Sequence, residues 1–174
     1  GKDWLLERVD KPQIDWVAST VEPMLAESRS EPPSVGDYLY EVKWDGIRAS
    51  ISLDEGEVTI RTRSQRDVTA SFPELRLPDE SFRATSAVFD GEIVCLDDAG
   101  RPIFTDVMGR IQARGERGIE RAHARHPAVC YLFDCLYLDG RPIMNEPLMR
   151  RREWLADAVK PDSNYRVSEV VDDG

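Results

Sequence analysis

The segment KWDGIR, residues 43–48, places a nucleophile, a glycine and a cation close together. A lysine at the end of a strand is held rigidly, and its amine attacks only when deprotonated, a form that neighbouring cations or loss of water favour. Gly46 permits a tight turn and lets backbone approach a ligand closely. Arg48 could clamp a phosphate or a ribose. The segment predicts Lys43 as a nucleophile in a cleft, although a surface strand end followed by a turn explains the same spacing equally well.

The strands that must position this segment are predicted from hairpin patterns. YLYEVKW at residues 38–44 is a short β run that leads to the lysine. ASISL and EVTIRTR alternate with period two around Asp54-Glu55-Gly56, and a second hairpin joins AVFDGEIVCL to RPIF through residues 97–100. Hairpins followed by mixed helices and strands indicate an α+β domain built on an antiparallel sheet.

The second half of the chain predicts helices around one buried strand. Residues 105–126 are predicted to be helical with a break at Gly115 or Gly118, and AVCYLFDCLYL is an apolar run of strand length. Pro147 suits the first position of a helix that ends before Pro161, and YRVSEVV predicts a last strand. The Pro-rich residues 1–36 predict an extended lead-in with one short helix at residues 14–19.

A net charge of −10 argues against a simple electrostatic nucleic-acid binder. The 23 basic residues are mostly arginine, the side chain best suited to phosphate, and they cluster in RTRSQR and MRRR. A local basic surface on an acidic protein is therefore compatible with the composition. On pattern alone, however, the MRRR arginines at residues 150–152 are expected to form a solvated helix face.

The cysteines, histidines and tryptophans predict structural roles. Cys95, Cys130 and Cys135 are odd in number and form no CxxC pair, so buried free thiols in a reducing compartment are expected. His123 and His126 lie in RAHARH, which favours solvated helix residues over a metal pair. The tryptophans are expected to be anchors and core residues: Trp4, Trp16, Trp44 and Trp154. No apolar run approaches the ~20 residues of a membrane span, and the default location is the cytoplasm.

Four ordered segments resemble the motifs of covalent nucleotidyltransferases. EVKWDGIRA resembles motif I, K-x-D-G-x-R, and RTRSQRDVTASFPEL resembles the S-R-x-G string that follows it in ligases. FDGEIVCLD resembles motif III, and YLFDCLYLDG resembles motif IIIa in the form F-D-x-L-Y-L-D-G of ATP-dependent DNA ligases. PMLAE at residues 23–27 is similar to the ligase lead-in. The chain is therefore identified as similar to the adenylation domain of ATP-dependent DNA ligases, above all those of the bacterial and archaeal DNA ligase D type.

The resemblance implies a role for each matching residue. Lys43 would attack the α-phosphorus of ATP and form lysyl-AMP. Adenine would be read by Glu41 and the backbone at Val42 and stacked on Phe133. Arg48 would contact the ribose or a DNA 5′-phosphate, Arg63 would hold phosphate, and Glu92 would bind the ribose hydroxyls and help place Mg²⁺ or Mn²⁺. The supporting residues would be Asp45, Gly46, Asp90 and Asp134.

Each of these roles has a structural alternative in the local pattern. Phe133 lies in a buried strand, so core packing alone would explain it. Glu92 could be a charge at a hairpin edge. Arg61 and Arg63 share a strand face, where solvated charges are common. Gln65 stands where the family usually has glycine, which puts the local turn in doubt.

The resemblance also implies an incomplete active site. The E-G string of motif IV and the K-x-K of motif V are not found, so sealing of a nick by these 174 residues alone is not expected. We expect residues 1–22 to be a lead-in, with DWLLERVD similar to the tail of a phosphoesterase module, and residues 23–174 to be a partial adenylation domain. The implied setting is double-strand break repair in a prokaryote, with nicked duplex DNA as substrate and Ku and a polymerase module as partners.

Two other functions remain open at the level of sequence. An RNA ligase or an mRNA-capping-type guanylyltransferase shares motif I, but neither usually carries F-D-x-L-Y-L-D-G. A catalytically inactive fragment that serves as a binding scaffold is the second alternative. Nucleotide preference and covalent labelling would separate these alternatives from an ATP-dependent DNA ligase.

Overall fold

In the computed structural model, a mostly antiparallel sheet carries five of the predicted site residues, and the others lie in loops and strands beside it. The structure describes residues 15–17, 21, 23–24, 38–161 and 163–171. The segment DWLLERVD lies outside these residues, and so do most of the helix expected at residues 14–19 and part of PMLAE.

Eight strands form two sheets within the described part of the chain. They are β1 Tyr40–Glu41, β2 Ile47–Asp54, β3 Glu57–Thr62, β4 Ser86–Cys95, β5 Ala128–Leu138, β6 Arg141–Pro142, β7 Tyr165–Val167 and β8 Val170–Val171. The main sheet has the order β3-β2-β4-β5-β6, and β7 pairs with β5 in parallel. The other pairings are antiparallel, including the separate β1–β8 ribbon. The expected α+β fold on antiparallel sheet is confirmed.

Helices cover the sheet and connect its strands. They are α1 Pro78–Ser81, α2 Phe104–Gln112, α3 Gly115–Arg125 and α4 Leu148–Ala158, with 3-10 turns at Thr69–Ser71 and Pro73–Leu75. The predicted helix at residues 105–126 is thus two helices, with the break just before Gly115 as expected. None of the helices among the described residues is long and apolar enough to cross a membrane.

The main core forms where the inward residues of the strands meet α2 and α4. Ile51 of β2, Ile60 of β3 and Phe89 of β4 are fully buried and pack with Val107 of α2 and Leu155 of α4. Burial of each such side chain contributes about 1.5–3 kcal/mol, so this core fixes how the strands stack beside one another. The sheet is therefore a stable platform for side chains on its other face.

Several predicted elements differ from the observed ones. The β2–β3 hairpin is confirmed, but RPIF forms no strand: it is joined to the end of β4 by the bridge between Leu96 and Pro102 and by two backbone hydrogen bonds. The Asp97 carboxylate accepts from the backbone N–H groups of Ala99 and Arg101, and α2 begins at Phe104, so the chain turns away before a hairpin can extend.

The remaining differences concern element boundaries. The β run expected at residues 38–44 is only the two residues of β1, so Lys43 follows a short strand within a loop. The last strand is confirmed but split into β7 and β8, which belong to different sheets. Pro147 is the N-cap of α4 and not its first residue, a shift of one position. The helix ends before Pro161 as predicted.

Candidate active site

The predicted site residues line up across β2, β4 and β5. Arg48 lies opposite Glu92, and Asp90 lies opposite Asp134. The loop between β1 and β2 carries Lys43 beside these strands. Three segments that are distant in sequence are therefore brought together by strand pairing, because β4 is the common neighbour of β2 and β5.

Arg48 and Asp90 form the central ion pair of the site. The Arg48 guanidinium donates from Nε to Asp90 Oδ1 at 3.0 Å and from Nη2 to Oδ2 at 2.7 Å. Its Cζ lies 5.4 Å from the centre of the Phe133 ring. Burial raises the pKa of Asp90, and the hydrogen bonds and charge of Arg48 oppose that shift. Asp90 therefore orients Arg48, and Arg48 stabilises the Asp90 carboxylate.

Glu92 is a half-buried carboxyl close to both cations. Burial raises its pKa to about 7, while a hydrogen bond from the backbone N–H of Gly46 and the charges of Arg48 and Lys43 oppose that rise. Lys43 itself is exposed. A carboxyl with a pKa of about 7 that lies close to two cations can accept a proton from a hydroxyl group or bind a cation.

The loop that carries Lys43 is fixed to the sheet by its neighbours. A Cβ at Gly46 would lie 2.2 Å from the carbonyl oxygen of Ile93, so only glycine lets the loop approach β4 this closely. Trp44 stacks on Tyr131 of β5 with ring centroids 3.7 Å apart and an interplanar angle of 12°. The expectation that Trp44 is an anchor is confirmed.

Two arginines of α4 hold other site residues, contrary to the prediction for MRRR. Arg151 donates from Nε and Nη2 to the Asp134 carboxylate at 2.7 and 2.8 Å. Arg152 donates to the Glu41 carboxylate, whereas Arg150 is exposed and pairs with Glu153. The expectation of a solvated face is wrong for Arg151 and Arg152, because α4 packs its first turn against β5. The arginine cluster MRRR was the only feature of the sequence that pointed to these contacts.

Arg63 lies beside Arg48 along an open groove. The backbone N–H of Arg63 donates to the Arg48 carbonyl at 3.2 Å, and its side chain is exposed. The groove has a volume of about 510 Å³ and is lined by Gly46, Ile47, Arg48, Thr62, Arg63, Ser64 and Phe104. Phe104, the first residue of α2, was not singled out from sequence because it was assigned to the predicted strand RPIF.

The remaining predicted residues occupy the edges of the site. Val42 and Asp45 are exposed in the Lys43 loop, and Phe133 is half-buried on β5 under Arg48. The expectation that Phe133 is simply core is incomplete, because one side of the ring faces the Arg48 guanidinium. The side chain of Glu41 is about one-third exposed and contacts Arg152.

The residues of the site suit a magnesium ion that takes few of its ligands from the protein. Among the described residues, no group of three or more His, Cys, Asp or Glu side chains is arranged to hold a metal ion. Mg²⁺ commonly uses one or two carboxylates together with water and substrate phosphates, and the position of Glu92 fits that mode. The protein would therefore supply one oxygen ligand here, and a nucleotide would supply others.

The cysteines and histidines lie outside this site. All three cysteines are free and buried, as expected. His126 is not simply solvated: its Nδ1 lies 2.5 Å from Asp106 Oδ2, which also pairs with Arg125 at 3.4 Å. This contact joins the end of α3 to the start of α2.

Comparison with known proteins decides which family this arrangement belongs to. The family model described as "ATP dependent DNA ligase domain" matches residues 23–172. The chain belongs to the ATP-dependent DNA ligase domain family. The motif resemblances, which lie between residues 23 and 140, fall inside the matched range.

Individual ligases show the same similarity. The chain is 34% identical over 159 residues to a DNA ligase of Methanothrix thermoacetophila, covering 90% of this chain and 27% of that protein. It is 35% identical over 158 residues to the multifunctional non-homologous end joining protein LigD of Mycobacterium bovis, covering 89% of this chain and 19% of that protein. This ligase domain thus spans about a quarter of the length of the first curated relatives it matches.

A solved ligase structure supports the fold. A mycobacterial DNA ligase D complexed with ATP and MES superposes with a TM-score of 0.58 at 33% identity, over 77% of this chain and 40% of that one. The antiparallel adenylation-domain fold expected for the ligase domain is confirmed.

Proposed function

We propose that this ligase domain transfers AMP from ATP to Lys43. The observation that carries the proposal is the fixed loop: Gly46 and Trp44 hold it against β4 and β5, and the charge of Lys43 acts on the Glu92 carboxyl. The deprotonated amine of Lys43 attacks the α-phosphorus, a nitrogen–phosphorus bond forms, and pyrophosphate leaves with the electrons of the broken bond. The nitrogen loses a proton, and lysyl-AMP remains.

The adenosine contacts in this proposal come from three strands. Glu41 and the Val42 backbone read the adenine edge, Phe133 stacks on the base, and Glu92 receives the ribose hydroxyls. Phe133 is only half-buried, so part of its ring is accessible, and the Arg48 guanidinium lies 5.4 Å from the ring centre on one side. The backbone contact of Gly46 with Glu92 supports a fixed carboxylate next to the nucleophile.

The phosphate contacts fall to the arginines of the open groove. Arg48 uses Nε and Nη2 on Asp90, so a ribose or phosphate contact would use its remaining nitrogen. Arg63 is exposed on the same groove and holds phosphate of the nucleotide or of a DNA nick. Asp90 and Asp134 act as supports, Gly46 permits the approach of the loop, and Asp45 belongs to that loop. Bound Mg²⁺, with Glu92 as a ligand, would neutralise phosphate charge.

We further propose the complete reaction and its setting for the protein to which this domain belongs. AMP passes from Lys43 to a 5′-phosphate in DNA, and a 3′-hydroxyl then displaces AMP to seal the nick. The similarity to an end joining protein supports double-strand break repair, with Ku, a polymerase module and a phosphoesterase module as partners.

Intact-mass and peptide mass spectrometry after incubation with ATP and Mg²⁺ tests the first step. We expect an AMP adduct on Lys43 that is absent in Lys43→Ala and does not form with GTP. A GMP adduct instead would indicate a capping-type guanylyltransferase, and sealing of an RNA nick in preference to DNA would indicate an RNA ligase. No adduct with either nucleotide would contradict the proposed transfer by this chain and favour a non-catalytic scaffold.

A further inference from the structure

Arg152 of α4 connects three segments that surround the Lys43 loop. Its Nη1 donates to Oε1 of Glu41 on β1 and, at 3.3 Å, to the carbonyl of Phe133 on β5. Its Nη2 donates to the carbonyl of Ser168 at 2.6 Å. The side chain is only 11% exposed, so these contacts are largely shielded from water. One guanidinium therefore touches the residues proposed to read and to stack on the base.

The segment that carries Glu41 has little other support among the described residues. β1 pairs with β8 through only two residue pairs, Tyr40 with Val171 and Glu41 with Val170. A two-stranded ribbon of this size is not stable by itself in water. Arg152 binds Glu41 of β1 and the carbonyl of Ser168, which lies in the short segment between β7 and β8. The position of the Glu41 carboxylate therefore depends on Arg152.

The charge of Glu41 also depends on Arg152. Burial raises the pKa of Glu41, the charge and hydrogen bond of Arg152 lower it, and the charge of Asp134 on β5 raises it. Asp134 is itself paired with Arg151, so the adjacent arginines of α4 each serve one carboxylate of the site. Without Arg152, Glu41 would face Asp134 with no ion-pair partner among the residues that the structure describes.

We infer that Arg152 is a positioning residue for base selection. It holds Oε1 of Glu41, which leaves the second carboxylate oxygen to accept a hydrogen bond from the 6-amino group of a purine. A purine without that amino group leaves the carboxylate oxygen without a partner and binds more weakly. This inference rests on the proposed function, since it assigns to Glu41 the recognition of adenine.

The test measures reversible binding of two monophosphates, which cannot donate AMP to Lys43. AMP is compared with purine riboside 5′-monophosphate, which differs from it only by the missing amino group, by titration calorimetry on the 174-residue chain. The variants are Arg152→Met, Arg152→Lys, Glu41→Gln and the double variant Arg152→Met/Glu41→Gln. Arg150→Met is the matched control, because Arg150 lies in the same turn of α4 but pairs only with Glu153 and the face of Trp154 among the contacts described.

We expect the unmutated chain to prefer AMP by roughly tenfold, the value of one hydrogen bond to a charged group. Arg152→Met and Glu41→Gln should each lose most of that preference, and the double variant should lose no more than either. Arg152→Lys should restore part of it, and Arg150→Met should keep all of it. A merely structural role would weaken both ligands equally and leave the ratio unchanged.

Three results would overturn the inference. The first is an unchanged ratio of the two ligand affinities in Arg152→Met. The second is a double variant whose loss of preference for AMP is the sum of the losses in the single variants. If Arg152→Met does not fold, an unchanged ratio in both Arg152→Lys and Glu41→Gln has the same meaning. Failure of the proposed function is distinguishable, because then the unmutated chain would neither bind AMP nor form an adduct with ATP.

Discussion

The loop after β3 places Gln65 in a backbone conformation that glycine adopts most easily. Its φ is +62°, and its N–H donates to the carbonyl of Thr62 at 2.8 Å while the N–H of Thr62 donates to the carbonyl of Arg66 at 3.0 Å. The tight turn therefore forms despite the missing glycine, and Arg63 and Ser64 stay on the groove. The Gln65 side-chain nitrogen is buried without a hydrogen-bond partner among the described residues. The residue costs free energy twice, through its backbone and through its amide.

Gln65→Gly should be more stable than Gln65→Ala by about 0.5–1 kcal/mol, and both should be more stable than the parent because the buried amide is gone. The left-handed conformation costs a side-chain-bearing residue about 1–2 kcal/mol, and part of that gain is lost because glycine has more freedom in the unfolded chain. Gln65→Ala is the control, since it removes the buried amide but keeps the strained backbone. Chemical denaturation of the three proteins measures the difference. Equal stability of the glycine and alanine variants would show that backbone strain at residue 65 is negligible.

The elements of the site are held together where β4 lies between β2 and β5. Gly91 permits the close approach of β4 to β5, since a Cβ there would lie 2.7 Å from the Tyr131 carbonyl oxygen and 2.9 Å from Cδ2 of Leu132. The register of this strand pair shifts between Asp90 and Gly91. That irregularity sets how the neighbouring side chains Asp90 and Glu92 meet their partners on β2 and β5.

Elements formed by local interactions could be predicted from the sequence, whereas those decided by contacts between distant residues could not. The β2–β3 hairpin and the strand at residues 128–138 were predicted correctly, because alternation and apolar length are local signals. The strand expected in RPIF was wrong, since side-chain contacts of Asp97 and the start of α2 decide it. The roles of Arg151 and Arg152 were missed because a helix sequence does not show which strand its first turn packs against.

Gly91→Ala should destabilise the domain by about 1–3 kcal/mol, the usual cost of inserting a methyl group into a closely packed interior. Gly109→Ala is the matched control: Gly109 lies in α2, and a Cβ there meets nothing within 4 Å. That change should stabilise the domain by up to about 1 kcal/mol, because alanine favours helix over glycine. Thermal unfolding of the parent and of both variants measures these changes in stability. A Gly91→Ala protein as stable as the parent would mean that β4 and β5 separate at little cost.

At the scale of the whole molecule, many basic side chains are committed to carboxylates of the same chain. The pairs among the described residues include Arg48–Asp90, Arg101–Asp97, Arg110–Glu74, Arg151–Asp134 and Arg152–Glu41. Two members of the MRRR cluster are thus internal, and the net charge of −10 is not offset by a free basic face there. The phosphate contacts proposed for this domain fall to the groove arginines, of which Arg63 is exposed.

The pair of Glu74 and Arg110 joins several separate elements of the fold. Arg110 of α2 donates from Nη2 to both Glu74 oxygens at 2.7 and 2.6 Å, and from Nε to the Ser71 carbonyl at 3.1 Å. The backbone N–H of Ala128, the first residue of β5, donates to Glu74 Oε1 at 2.7 Å. Both side chains are buried. The pair therefore links the 3-10 turns, α2 and β5 beneath the sheet.

Arg110→Met should destabilise the domain by about 3–5 kcal/mol, because it leaves the Glu74 carboxylate buried without its cation. Adding Glu74→Gln should recover more than half of that loss, since the neutral amide removes the buried charge and its oxygen can still accept from Ala128. Arg101→Met, which breaks the exposed pair with Asp97, is the control and should change stability by less than about 1 kcal/mol. Denaturant titration of the parent chain and the three variants measures these differences in stability. If the double variant is less stable than Arg110→Met, then Glu74 is bound to its surroundings by more than charge, and the ion pair is not what joins these elements.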